Sequence, residues 1–214
     1  MHLVNLASRL ELRLLRIDRS IDNTLLGGRP LERHERWALQ EGYLSQKWQA
    51  WCGFCRAATF ASCRGAIDGA GVVTTSTFSA RSDLELAWIA KRAALSEPYT
   101  NVRALAGHHL EPTWGDIAKY GLVIGALNPS NASALSSGIL ASGVGARHLQ
   151  VVRNATAHLS ANSVTDVNAL AASYIPHPIQ APSDAMLWED RALKDFAYRA
   201  WTTRMIAGAK IAVS

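Results

Sequence analysis

The feature of this sequence that most constrains its fold is the return of apolar residues at steps of three and four along nearly the whole chain. In the first 26 residues they form a single stripe: Leu3, Leu6, Leu10, Leu14, Ile17, Ile21 and Leu25. This spacing places side chains on one face of an α-helix. We therefore expect a first helix over residues 2–26, ended by Gly27-Gly28.

Similar helical patterns fill most of the remaining chain, including predicted helices over residues 31–65, 145–160, 164–174 and 184–209. Along the second helix we expect one buried seam, formed by Trp37, Leu44, Trp48, Trp51, Cys55 and Ala58. Gly-, Ser- and Pro-rich stretches predict loops over 65–82 and 175–183. The predicted fold is all-α, a single domain over residues 1–214 built as a bundle of about seven helices.

Composition narrows the function classes. Hydrophobic residues make up 49% of the chain and charged residues 18%, which excludes global disorder. Only three cysteines are present, a count that suits a reducing compartment. No apolar stretch predicts a signal peptide or a membrane span, so we expect a cytoplasmic protein with no membrane partner. The net charge of +5 is compatible with a polyanionic partner without requiring one.

Three polar residues stand out on an otherwise apolar stretch: Arg153, Asn154 and His158. At 100° per residue, Asn154 and His158 lie about 40° apart on one helical face. An imidazole can move protons to and from ribose oxygens, and a guanidinium can hold a phosphate. One such set lacks a full acid–base pair, whereas two sets across a two-fold axis supply one. A solvent-facing arginine and a histidine bonded to a carbonyl would explain the same residues.

The pattern Arg153-Asn154-x-x-x-His158, preceded by Leu149 and Val151-Val152, resembles the signature of HEPN domains. Two further stretches, residues 41–56 and residues 111–116 with Asn131 beyond them, resemble the bacterial subgroup called RiboL-PSP-HEPN. The resemblance runs from about residue 2 to residue 205.

This resemblance implies a metal-independent endoribonuclease that acts as a homodimer, with the two motifs meeting at the interface. Arg153 and His158 would be catalytic, Asn154 would support them, and no cofactor is expected. It also implies a toxin or antiphage defence effector, with RNA as substrate and an antitoxin or defence-system protein as partner. The alternatives are a non-catalytic HEPN-like module that binds a nucleotide, an RNA or a partner protein, and a helical regulatory subunit.

A second basic feature lies on the first helix, where Arg9, Arg13 and Arg16 recur on its polar side. We expect these arginines to contact RNA phosphates, with Arg56 on the second helix extending the surface. The competing interpretation is a solvated face whose arginines pair with Glu11, Asp18 and Asp22.

Two other groups have residue types suited to chemistry. The Cys52-x-x-Cys55 pair lies inside a predicted helix with no strand before it, which favours packing over redox chemistry or zinc binding. His108-His109 with Glu111 could supply two metal ligands only from a loop, with His148 or His177 as further candidates, and a helix-start or interface role is the competing interpretation. We expect no metal site.

Overall fold

The computed structural model describes residues 1–28 and 30–214. It is 66% helical, which confirms the predicted all-α class. The described residues form eight α-helices: α1 (Leu3–Ile21), α2 (Arg33–Cys63), α3 (Asp83–Ala94), α4 (Ile117–Leu127), α5 (Ala132–Ala141), α6 (Gly143–Ala157), α7 (Ala161–Ala169) and α8 (Ala197–Ala212). Two short antiparallel strands, β1 (Tyr174–Ile175) and β2 (Glu189–Asp190), pair Tyr174 with Asp190.

Helix starts follow the sequence where a polar side chain caps the first turn. The Ser82 hydroxyl caps α3 by accepting from the Glu85 backbone N–H. The Glu85 carboxylate in turn accepts from the Ser82 backbone N–H, which completes a capping box. Asp116 caps α4 by accepting from the backbone N–H groups of Ala118 and Lys119. In contrast, the helix expected at 164–174 begins earlier, as α7, because Ser160 caps it.

The first two helices form as predicted, with two corrections. α1 ends at Ile21 and passes into one π-helical turn over Asp22–Leu26. Trp37 does not join the buried seam of α2, because it lies half-exposed near the start of that helix. The other seam residues are buried: Leu44, Trp48, Trp51, Cys55 and Ala58.

The last predicted helix, over 184–209, is wrong in its first half. Residues Pro182–Leu187 form a 3-10 turn, β2 follows, and α8 begins only at Ala197. The physical reason is Asp190, whose carboxylate accepts backbone N–H groups of Ala192 and Leu193 and so favours a turn. Lys194 then takes a left-handed conformation with φ of 53°, which no helix contains.

Small residues set how closely the C-terminal helices approach. A methyl group on Gly138 of α5 would lie 2.4 Å from the Gly208 carbonyl oxygen of α8. A methyl group on Gly145 of α6 would lie 2.9 Å from the Trp201 carbonyl oxygen. Glycine at these positions therefore lets α5 and α6 pack directly on the backbone of α8.

All eight α-helices contribute side chains to one hydrophobic core. The core also contains a buried ion pair, in which Lys47 of α2 contacts Asp18 of α1 and donates to Thr202 and the Tyr198 carbonyl of α8. Burial lowers the pKa of Lys47 and raises that of Asp18. The pair ties the middle of α2 to the end of α1 and the start of α8.

The first predicted loop is present over its whole length, whereas the second is present only in part. Residues 64–82 contain no helix or regular strand, and Thr74 anchors them by donating to the carbonyls of Ser62 and Ala66. The second loop is shorter than predicted, because β1 and the turn from Pro182 take up its ends. Throughout the part of the chain that is described, no helix has the length and apolar character needed to cross a membrane.

Candidate functional site

Helix α6 carries the motif, and its packing decides which motif residues reach the surface. Its inward face, which packs on α8 and α2, consists of Gly145, Ala146, Leu149, Val152 and Ala155. Asn154 lies on the opposite, exposed face, and Arg153 lies half-buried between the two. The side chains at the C-terminal end of α6 are therefore available to a ligand.

The Arg153 guanidinium lies near the Cys52 thiol of α2, and Asp116 at the start of α4 is also near that thiol. One terminal nitrogen donates to the Asn154 amide oxygen at 3.2 Å. The Nε atom is buried and makes no hydrogen bond within residues 1–28 and 30–214. No salt bridge joins Arg153 to a carboxylate in those ranges, so its positive charge is available to an anion.

The helix ends one residue before His158, which corrects the prediction of a helix to residue 160. The His158 backbone N–H still donates to the Asn154 carbonyl at 2.8 Å, but its φ of −136° and ψ of 72° leave the helix. Its carbonyl accepts from the Ser163 hydroxyl at the start of α7. The imidazole is exposed and makes no hydrogen bond among the described residues. Its position is thus fixed by backbone contacts, while its ring nitrogens stay accessible.

An exposed stripe runs along α6 at steps of three and four. Its exposed members are Val144, Arg147, Asn154 and, just past the helix, His158, whereas Val151 between them is half-buried. Val144 is 47% exposed, and Leu140 at the end of α5 is 68% exposed. This α6 stripe combines apolar residues at one end with the motif residues at the other.

A buried hydrogen-bond chain holds α6 in place. The Trp201 indole donates to the Tyr174 hydroxyl at 2.7 Å, and that hydroxyl lies 2.7 Å from Nδ1 of His148 on α6. Burial, with Arg204 and Arg147 nearby, lowers the pKa of His148 to about 4. The imidazole is therefore neutral at pH 7, and its Nδ1 can accept the Tyr174 proton. Sequence reasoning missed this chain, because its members are more than 25 residues apart.

Glu111 organises the segment before α4. Its carboxylate accepts two hydrogen bonds from Arg56, at 2.7 and 3.0 Å, and one each from His108 and the Trp114 indole. Burial acts to raise the Glu111 pKa, but these donors outweigh it and hold that pKa below its usual value. Arg56, predicted to bind RNA, is thus engaged in a bidentate ion pair.

The four histidines considered as metal ligands do not come together. His148 bonds Tyr174, His177 lies against the Pro178 carbonyl, and His108 bonds Glu111, while His109 is exposed beside Gly107. No group of three or more candidate metal ligands occurs in the described ranges.

The cysteine pair lies within α2. Cys55 is fully buried, and burial raises the pKa of the Cys52 thiol to about 11. Such thiols remain protonated near neutral pH and are poor nucleophiles. Both cysteine side chains pack inside the helical bundle.

Arg9, Arg13 and Arg16 do lie together, along a cleft of about 440 Å³ between α1 and α2 that also contacts Gln46. An adjoining cleft shares Arg9 and Arg13 and reaches Ala50, Gly53 and Ala57. This basic groove and Arg153 lie against different faces of α2. Cys52, which neighbours Arg153, is at least about 100° around the helix from each of those three small residues.

A further cleft of about 510 Å³ lies beside the motif, and sequence reasoning missed it. Its walls include Trp37 and Glu41 of α2, Thr156 of α6 and Leu159, together with Val164 and Ile179. We call this the Trp37 cleft. Trp37 and Glu41 are four residues apart and so share one face of α2, a spacing that could have indicated it.

Comparisons of the chain with protein-family models, with curated proteins and with solved structures give no significant match.

Proposed function

We propose that this chain is a metal-independent endoribonuclease of the HEPN type. The observation that carries the proposal is the end of α6, where an exposed imidazole, His158, and the Arg153 guanidinium, which pairs with no carboxylate of the described residues, lie five residues apart. This pair suits phosphodiester cleavage, because the imidazole can move protons and the guanidinium can balance the charge of the phosphate.

In the proposed reaction the ribose 2′-hydroxyl attacks the adjacent phosphorus and the bond from phosphorus to the 5′-oxygen breaks. A neutral imidazole takes the 2′-hydroxyl proton, and an imidazolium gives a proton to the leaving 5′-oxygen. The products are a 2′,3′-cyclic phosphate and a 5′-hydroxyl. Arg153 would contact the non-bridging oxygens, whose charge builds in the transition state.

The two proton transfers call for two imidazoles, and one protomer offers one at this place. The α6 stripe supports the proposal that a second copy supplies the other. Val144 of the stripe and the neighbouring Leu140 of α5 are exposed and apolar, the kind of surface that homodimer interfaces bury. A two-fold axis running alongside α6, roughly parallel to the helix, would bring the two His158 residues toward one another and the two apolar ends together.

The experiment is cleavage of a mixed total-RNA pool and a tRNA pool by the purified chain in excess EDTA. We expect cyclic-phosphate ends from the wild type and none from His158→Ala or Arg153→Ala. His109→Ala and Arg191→Ala are matched controls, since both side chains are exposed and lie outside the motif. If the wild type leaves the RNA intact and binds it no more tightly than the variants do, the nuclease proposal is wrong and a binding module is favoured.

We further propose that the nuclease acts as a toxin or defence effector, kept in check by a partner protein. Overexpression of the wild type should then arrest growth, and His158→Ala should relieve the arrest. Equal toxicity of both proteins would contradict this role.

A further inference from the structure

We infer that the Trp37 cleft is a nucleobase pocket that favours guanine. The inference rests on the proposed function, because it assigns the base next to the bond that His158 and Arg153 would cleave. The cleft volume, about 510 Å³, lies within the roughly 300–1,000 Å³ typical of small-molecule sites.

The position of the cleft points to the substrate of the same site. Thr156 and Leu159, which flank His158 in the chain, both line it. Arg153 precedes Thr156 by three residues, so the two are neighbours on the surface of α6. Arg153 and His158 do not line the cleft themselves, so a nucleotide with its base there would extend its ribose toward His158 and its phosphate along α6 toward Arg153.

The walls combine an aromatic ring with apolar side chains. Trp37 lines the cleft, and the Arg33 guanidinium lies 4.3 Å from the centre of its ring. Unstacked RNA bases are commonly bound by stacking on aromatic rings and arginine planes. Leu159, which is 72% exposed, forms an apolar rim that a base would cover.

The choice of guanine comes from Glu41. Its carboxylate is exposed at the cleft and forms no salt bridge within residues 1–28 and 30–214. Guanine offers its N1–H and N2 amino group side by side, and one carboxylate can accept both. Adenine, cytosine and uracil each offer fewer donors on that edge. A negative charge would also repel phosphate, which keeps the backbone at the Arg153 end.

The far side of the cleft is held rigidly. The Ser183 hydroxyl donates to the Gln40 amide oxygen at 2.8 Å, and the Gln40 amide nitrogen donates to Asp184 at 3.2 Å. The Asp184 carboxylate in turn accepts the backbone N–H groups of Gln180 and Ala181. These bonds fix the 179–183 wall to α2, so little ordering is needed when a base binds.

The test is calorimetric binding of the four 3′-nucleoside monophosphates to the full chain carrying His158→Ala. We expect guanosine monophosphate to bind about ten-fold more tightly than the others. Adding Trp37→Ala should weaken all four by about ten-fold, whereas Trp37→Phe should retain most of the affinity. Glu41→Gln should remove the guanine preference and leave adenosine monophosphate unaffected, and Glu189→Gln is the matched control for a lost surface charge.

These measurements distinguish failure of the guanine pocket from failure of the nuclease proposal. Absence of nucleotide binding, or binding unchanged by Trp37→Ala and Glu41→Gln, overturns the pocket, and the cleft would then fit an apolar side chain of a partner protein instead. RNA cleavage by the wild type in that case leaves the nuclease proposal standing. Guanine-selective binding by a chain that cleaves no RNA supports the pocket and rejects the nuclease.

Discussion

His148 should make this protein sensitive to mild acid. In the unfolded chain its pKa is about 6.5, and in the folded chain burial lowers that pKa to about 4. Between these values the unfolded chain binds a proton that the folded chain excludes, so the free energy of unfolding falls as the pH falls. The stabilising contribution is complete above about pH 6.5 and is lost progressively toward about pH 4.

The size of the effect follows from the two pKa values. Between about pH 7.5 and about pH 5, full linkage corresponds to a loss of roughly 2 kcal/mol. His148 is only partly buried, and solvent screening reduces the effect. We therefore expect a loss of about 1 kcal/mol, with roughly 2 kcal/mol as the upper limit.

The assay is urea unfolding of the wild type and of His148→Asn at about pH 7.5 and about pH 5. The asparagine amide oxygen can occupy the place of Nδ1 and accept the Tyr174 proton, but it does not titrate. Because both proteins share every other ionisable group, the difference between their losses isolates His148. Equal losses of stability in the two proteins would refute the argument.

Three further outcomes are expected. Gly138→Ala should lower the free energy of unfolding by roughly 3 kcal/mol or more because its methyl group meets the α8 backbone, whereas Gly125→Ala on the exposed face of α4 should raise it by about 0.5 kcal/mol, both measured by urea unfolding. Lys47→Met should cost roughly 3–5 kcal/mol by leaving Asp18 without its partner, and the double variant with Asp18→Leu should recover much of that loss. Arg13→Gln should weaken single-stranded RNA binding uniformly across sequences and reduce the slope of log Kd against log salt by about 0.7, and an unchanged slope would remove the basic groove from the RNA site.

The sequence predicts the helical class well because apolar periodicity is a local signal. α1 and α2 lie close to their predicted bounds, since an apolar stripe is set by residues only three and four positions apart. The prediction of the last helix is wrong because the contacts that interrupt it are not local. The turn that Asp190 makes with the backbone of Ala192 and Leu193 is held by an ion pair with Arg204 and by the pairing of β2 with β1, and neither partner is visible in the local pattern.

The residues of the candidate site could be named from the sequence, but the side chains that surround them and their neighbours could not. Arg153, Asn154 and His158 could be named from their spacing, and the structure places Arg153 and Asn154 in contact. The Glu111 partner of Arg56 and the Tyr174 partner of His148 come from 55 and 26 residues away. Such partners decide whether a charged side chain is free for a ligand, and only the fold determines them.

The central claim is that two copies of the chain complete one catalytic site. We would measure RNA cleavage by the wild type mixed and re-equilibrated with His158→Ala at a fixed total concentration. If both copies must supply His158, activity at equal amounts falls to about one quarter, the fraction of dimers with two wild-type chains. A fall to about one half would show that each chain works alone and would contradict the account.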